Sequence, residues 1–188
     1  KERERIAEFY RRVSTSSREK GYQAAVKLVD EELERTKSTK LRNRLRITRL
    51  GVLENRHQEA LSFAEGLLKD ESFSAEDRLW LRDRIAFHLW RLGRVDEAVS
   101  VYDGLIADAA GDPKRAWGRY RDKAETLTRA GRFSEALETW EAARKHLEPG
   151  TTEWRETECF RALVMEKAGR YDDAVAVHRS VLLASDDL

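Results

Sequence analysis

Apolar residues recur along this chain in stripes of helical spacing, interrupted at regular intervals by glycine or proline. Leu79, Ile85, Leu89 and Leu92 follow one another at roughly helical spacing. Ser74 precedes them with Asp77 three residues on, a pairing that satisfies the free N–H groups at a helix start. Gly93 then ends the stripe, at a point where a residue without Cβ turns the chain through positive φ at little cost. Val95, Ala98, Val99, Tyr102, Leu105 and Ile106 form the next stripe and predict a second helix beginning near Asp96. Asp112-Pro113 supplies a cap followed by proline at the first helical position, and Pro149 occupies the equivalent gap one unit later. Neither proline falls inside a predicted helix.

The same phrase is written several times. Gly93–Tyr102 reads GRVDEAVSVY, Gly131–Trp140 reads GRFSEALETW and Gly169–His178 reads GRYDDAVAVH, each copy 38 residues after the last. One step of 38 back reaches Asn55, where NRHQEAL keeps the frame, and a step of 35 more reaches Lys20 and KGYQAAV. Three columns hold through all five copies. Alanine stands at 25, 60, 98, 136 and 174; Tyr22, His57, Val95, Phe133 and Tyr171 stand three residues earlier; and Val26, Leu61, Val99, Leu137 and Val175 follow it. Seven residues before the glycine a second small residue recurs as Ala86, Ala124 and Ala162, with Thr48 in the second copy. Self-similarity at one fixed period marks a repeat array. Small residues at matching points on two helices let their axes approach.

Paired helices, a small residue in the first, a glycine turn and then aromatic-x-x-Ala in the second resemble the tetratricopeptide repeat (TPR) family over nearly the whole chain. The resemblance implies an all-α fold, an α-solenoid of about five helix hairpins in a right-handed superhelix. As one repeat domain over 1–188, its repeats fall at approximately 3–37, 38–70, 74–110, 112–148 and 151–185. The spacings of 35 and 38 exceed the family's usual ~34. The early first-helix aromatic survives only as Tyr120, with Arg82 and Glu158 at the equivalent positions. The chain opens without methionine and closes on SVLLASDDL without a polar capping helix, so it reads as a piece of a longer protein.

Composition narrows the chemistry. Charged residues make up 38% of the chain, as expected of helices with long solvated faces, and no apolar run is long enough to span a membrane. A single cysteine, Cys159, fits a reducing compartment such as the cytoplasm and reads as a half-buried small apolar residue. Net charge is +1, which argues against nucleic acid as partner, but residues 1–56 carry +7 and residues 57–188 carry −6. None of the four histidines is spaced i, i+4 with another, and His57 and His178 occupy columns filled elsewhere by packed side chains. Asp172-Asp173 are sequence neighbours that do not face each other on a helix, which suits helix-end charge rather than acid–base work. Metal-binding, phosphate-loop and hydrolase motifs are absent. No catalytic residue, metal or cofactor is expected, and the chain reads as a non-enzyme.

The resemblance further implies that the first helix of each pair lines a concave groove and carries the ligand contacts. Projected onto that face, Arg42, Arg46 and Arg49 form an i, i+4, i+7 stripe that Arg84 and Arg91 continue, with Trp80 and Phe87 as apolar anchors and Arg121 in the fourth repeat. On the fifth repeat the same face carries Glu156, Cys159, Phe160, Leu163 and Glu166. Guanidinium groups bind carboxylates in a fork, and an aromatic beside them supplies a desolvated anchor, so a peptide or protein partner with acidic character suits this set. Arginine outnumbers lysine 26 to 10, so a solvated arginine face with tryptophans packed between repeats stays open beside it. The family's Lys/Asn carboxylate clamp has only Asn43 to draw on, which projects off the inner face. The expected function is a non-catalytic protein–protein interaction module. The alternatives are a regulatory or self-assembling array within a larger enzyme or sensor, including a head-to-tail homo-oligomer, and an RNA-binding helical repeat.

Overall fold

The structure, a computed structural model, describes residues 2–109 and 111–186, with side chains from 6 to 109 and from 111 to 183. Among these residues all regular structure is helical: α1 (Glu2–Lys20), α2 (Tyr22–Arg35), α3 (Thr39–Val52), α4 (His57–Leu68), α5 (Ala75–Arg91), α6 (Val95–Asp108), α7 (Pro113–Arg129), α8 (Phe133–Arg144), α9 (Thr152–Lys167) and α10 (Tyr171–Asp186). The chain divides into two compact units, Lys1–Leu92 and Gly93–Leu188, and the division falls inside the expected 74–110 repeat.

The repeated phrase has a clear structural meaning. Tyr22, His57, Val95, Phe133 and Tyr171 are each the first residue of an even-numbered helix. The alanine three residues on is buried to within 1% of full closure in all five cases. Ala86, Ala124 and Ala162 are likewise fully buried. Gly131 lies at φ 75°; its amide donates to the Thr128 carbonyl (3.1 Å) and the next amide, Arg132, reaches back to Leu127 (2.9 Å). The same pair of bonds closes α9 at Gly169 and Arg170. These bonds satisfy the last carbonyls of the helix, and they require a left-handed residue. A Cβ at Gly131 meets nothing within 4 Å, so backbone conformation, not space, selects glycine.

Helix starts follow two rules. Four odd-numbered helices are capped by side chains: Ser38, Ser74 (a full capping box with Asp77), Asp112 and Thr151 each accept from the amide three residues on. The even-numbered helices α6, α8 and α10 instead begin with an arginine clipped to the acid three residues later: Arg94–Glu97 (2.6 Å), Arg132–Glu135 (2.6 Å) and Arg170–Asp173 (2.7 Å). The acid of each clip also lies in the first turn, where negative charge suits the helix dipole. Arg132 additionally bonds Asp96 and so joins the starts of α6 and α8. Its partners Glu135 and Asp96 raise its pKa further above the ordinary arginine value.

In the first unit α1 packs on α2 and α2 on α3, around a core of Val13, Ala25, Val29 and Leu45 flanked by Phe9, Leu28, Leu33, Leu41 and Val52, and α4 packs on α5. In the second unit α6 packs on α7, α7 on α8, α8 on α9, and α9 on α10. Its core joins Ala124, Leu127, Ala136, Trp140, Ala143 and Val164, with a smaller cluster of Ala162, Met165 and Ala174 behind α10. Alanines at the helix crossings and one or two large side chains between them are the packing the sequence columns predict. Among the described residues no helix is long and apolar enough to cross a membrane.

Candidate functional site

The three arginines of α3 separate in the structure. Arg42 Nη1 donates to the Leu33 carbonyl (2.8 Å) and the Thr36 carbonyl (3.2 Å), tying α3 to the end of α2. Arg46 Nη1 pairs with Asp70 Oδ2 at 2.6 Å, beyond the end of α4. Arg49 lies 3.3 Å from Asp30 on α2, with its guanidinium 4.7 Å over the Phe63 ring on α4. Neighbouring helices and the turns after them offer carbonyls and carboxylates within reach of each side chain, so charges that share one face by spacing go to three different partners. Asp70 is held at about 2, first by hydrogen bonds from Ser72 and then by Arg46. Asn43 is buried and donates to the Ser72 carbonyl at 2.8 Å, which fixes the same corner.

On α5 the expected aromatic and cationic residues do come together. Arg84 lies 5.0 Å from the Phe87 ring and 5.9 Å from Trp80, with Glu54 at 3.9 Å. Trp80 is exposed. Arg91 stacks 5.5 Å over Trp90, and its Nε donates to His57 Nε2 at 3.3 Å. His57 Nδ1 in turn lies 3.2 Å from His88 Nδ1. Arginine has no acceptor, so His57 Nε2 must be the unprotonated nitrogen; its Nδ1–H then donates, and His88 carries its proton on Nε2. Burial, with the charges of His57 and Arg84 beside it, lowers the His88 pKa to about 4. Burial and Arg91 lower that of His57, against the raising effect of Glu54. A search for histidines one helical turn apart misses this pair because its members lie on α4 and α5.

Two sequence expectations need correction. Cys159 is exposed rather than half-buried, because the side of α9 that carries it is open. His178 is not a packed ring: it stands on the outer side of α10 with Nε2 3.5 Å from Glu166 Oε1.

The second unit contains a groove of about 460 Å³ bordered by α7, α8 and α9. Its floor is Trp140, buried, with Phe160 stacked on it at 5.2 Å and 5° between ring planes. Phe160 and Leu163 remain 37% and 44% exposed. Arg121, Arg129 and Lys167 stand around this apolar shelf with one acid, Glu125, which pairs with Arg129. Arg121 rests 5.3 Å over Trp117, whose Nε1 donates to Thr157 Oγ1 (2.9 Å) and joins α7 to α9. Glu158, 2% exposed, anchors α9 from behind through Arg144 and Arg161, both at 2.7 Å. The acid that stands where an aromatic was expected is thus a buried ion-pair centre. Of the expected contact residues, Arg121 borders this groove, and Phe160 and Leu163 form its shelf. A larger cavity of about 610 Å³ in the first unit lies between α1, α2 and α3, lined by Phe9, Leu41, Arg12 and Lys37 among others. Sequence periodicity did not mark it, because α1 carries the least regular repeat. Among the described residues no three His, Cys, Asp or Glu side chains converge as metal ligands.

No protein-family model matches the sequence, and no curated protein is similar to it. Solved structures are similar in fold. Nearly identical TPR-like repeats from Podosopora anserina, described as a kinesin light chain, superpose with a TM-score of 0.71 at 17% identity over 97% of this chain and 96% of theirs. Bacillus thuringiensis PlcR, solved in complex with the peptide PapR7 and DNA, gives 0.61 at 13% identity over 97% and 70%. MamA from Desulfovibrio magneticus RS-1 gives 0.60 at 14% identity over 96% of each chain. With its all-helical elements and its recurring hairpin columns, the chain has the fold of the TPR-like helical repeat proteins.

Proposed function

We propose that this chain is a non-catalytic interaction module that holds a segment of a partner protein, with an acidic peptide carrying one aromatic or aliphatic anchor as the preferred ligand. The observation that carries the reading is the groove of the second unit, an exposed apolar shelf of Phe160 and Leu163 beside Arg121, Arg129 and Lys167. An apolar anchor seated on the shelf excludes water from nearby charged contacts, which strengthens a carboxylate–guanidinium fork. The preformed stack on Trp140 means that Phe160 loses little freedom on binding. The peptide-bound PlcR structure supports the reading by showing a protein of this fold in complex with a peptide. In the first unit Trp80, Arg84, Phe87 and Arg91 form a second candidate contact surface. Arg42, Arg46 and Arg49 belong to the proposal as a source of positive field more than as free forks, because each already has a partner in its own chain.

Panning a randomised peptide display library on the chain tests this. Selected peptides are expected to combine acidic residues with one large apolar residue. Phe160→Ala should weaken them about tenfold or more, and Arg121→Glu should weaken them and reduce the salt dependence of binding. Selected peptides without acidic residues, or equal affinity for Phe160→Ala, would refute the assignment.

A further inference from the structure

The outer side of α10 carries an apolar stripe that no described residue of its unit covers. Tyr171, Val175 and Leu182 are 65–68% exposed and Leu183 is 62% exposed, whereas Ala174 and Val177 on the adjoining side pack into the core. With His178 between them, the stripe positions are spaced 4, 3 and 4 residues apart. This is the heptad seam by which one helix packs along another. Exposed apolar surface of this continuity marks an interaction site.

We infer that this stripe pairs with the same stripe of a second copy of the chain, the two α10 helices running antiparallel across a two-fold axis. Charge supplies the argument for that occupant. Asp172 and Arg179 lie on one flank of the stripe, seven residues apart, and among the described residues neither has an ion-pair partner. An antiparallel two-fold seam sets Tyr171 beside Leu182 of the other copy and Val175 beside its His178. It brings Asp172 near Arg179 of the other copy, and by symmetry does so twice. A parallel seam sets Asp172 against the apolar flank that carries Val181 and leaves both charges unmatched. The head-to-tail arrangement has no comparable fit, since among the described residues of α1 most exposed side chains, including Glu8, Arg11 and Arg18, are charged and form no apolar stripe. A single helix pair lies below the usual size of a stable interface, so the dimer is weak, with a dissociation constant in the micromolar range or above.

Sedimentation velocity of the 188-residue chain over a wide concentration series tests the inference. The expected result is a reversible monomer–dimer equilibrium that Val175→Glu abolishes. Asp172→Arg alone and Arg179→Asp alone should each weaken the dimer about tenfold, while the double exchange restores it. All three positions are exposed, so helical circular dichroism should be unchanged and confirms that each variant folds. A monomer at every concentration overturns the inference. A dimer that survives Val175→Glu, or one indifferent to the single charge exchanges, overturns it by placing the interface elsewhere or in another orientation.

Discussion

His88 makes the first unit sensitive to mild acid, and the size of the effect follows from its position. The ring is 1% exposed, accepts from His57 and has its pKa lowered from 6.5 to about 4. The unfolded chain takes up a proton at the ordinary value, while the folded chain resists it. The stabilisation is therefore complete above the unfolded value of 6.5 and is lost as pH falls through the folded value of about 4. A gap of about two and a half pH units corresponds to roughly 3 kcal/mol, most of it gone by about pH 4.5. His57, lowered as well, acts in the same direction. Replacing His88 by Gln leaves an amide oxygen able to accept from His57 but nothing to titrate. Urea unfolding followed by circular dichroism between about pH 7.5 and 4.5 should then show the wild type losing about 2.5 kcal/mol more than His88→Gln, because carboxylate effects are common to both. Parallel pH profiles for the two proteins would refute the buried neutral pair.

Other perturbations separate the causes proposed for the fold. Gly131→Ala should lower stability by about 1 kcal/mol through its left-handed conformation alone, while Gly66→Ala, inside α4 with open space around it, should raise stability by up to about 1 kcal/mol; thermal unfolding distinguishes the two signs. Glu158→Ala leaves the largely buried Arg161 short of its closest partner and should cost about 3 kcal/mol in urea unfolding. The half-exposed Glu141→Ala should cost under about 1 kcal/mol in the same assay. In Arg46→Ala the Asp70 carboxyl, followed by NMR titration, should move up from about 2 but stay below its ordinary 3.8, since the Ser72 hydrogen bonds are the larger cause.

The hairpin fold was readable because its signals are local and repeated. A glycine needed at φ 75–76° cannot drift, and an alanine at a helix crossing cannot grow without separating the axes. Both leave fixed columns in the sequence. The arginine of the repeated phrase was equally visible, yet its task of clipping the acid three residues on emerges only from side-chain geometry. Site chemistry was less legible because it depends on which groups of neighbouring helices lie within reach. Spacing alone puts Arg42, Arg46 and Arg49 on one face, and it says nothing of the Leu33 carbonyl, Asp70 or Asp30 that divide them. The His57–His88 pair and the Trp140–Phe160 stack join residues 31 and 20 apart on different helices, beyond any periodicity. Phe160 and Leu163 were placed on the inner face by projection, but their stacking on Trp140, which makes the groove, was not.

The most direct test of the account is a chemical-shift map of the chain with an acidic, apolar-anchored peptide selected on it. Binding in the second unit's groove predicts shifts concentrated on Phe160, Leu163 and Lys167, with the indole N–H signals of Trp140 and Trp117 moving and the residues of α1 unmoved. Shifts that gather instead around Phe9 and Leu41, or on the outer side of α10 at Val175 and Leu182, would contradict it.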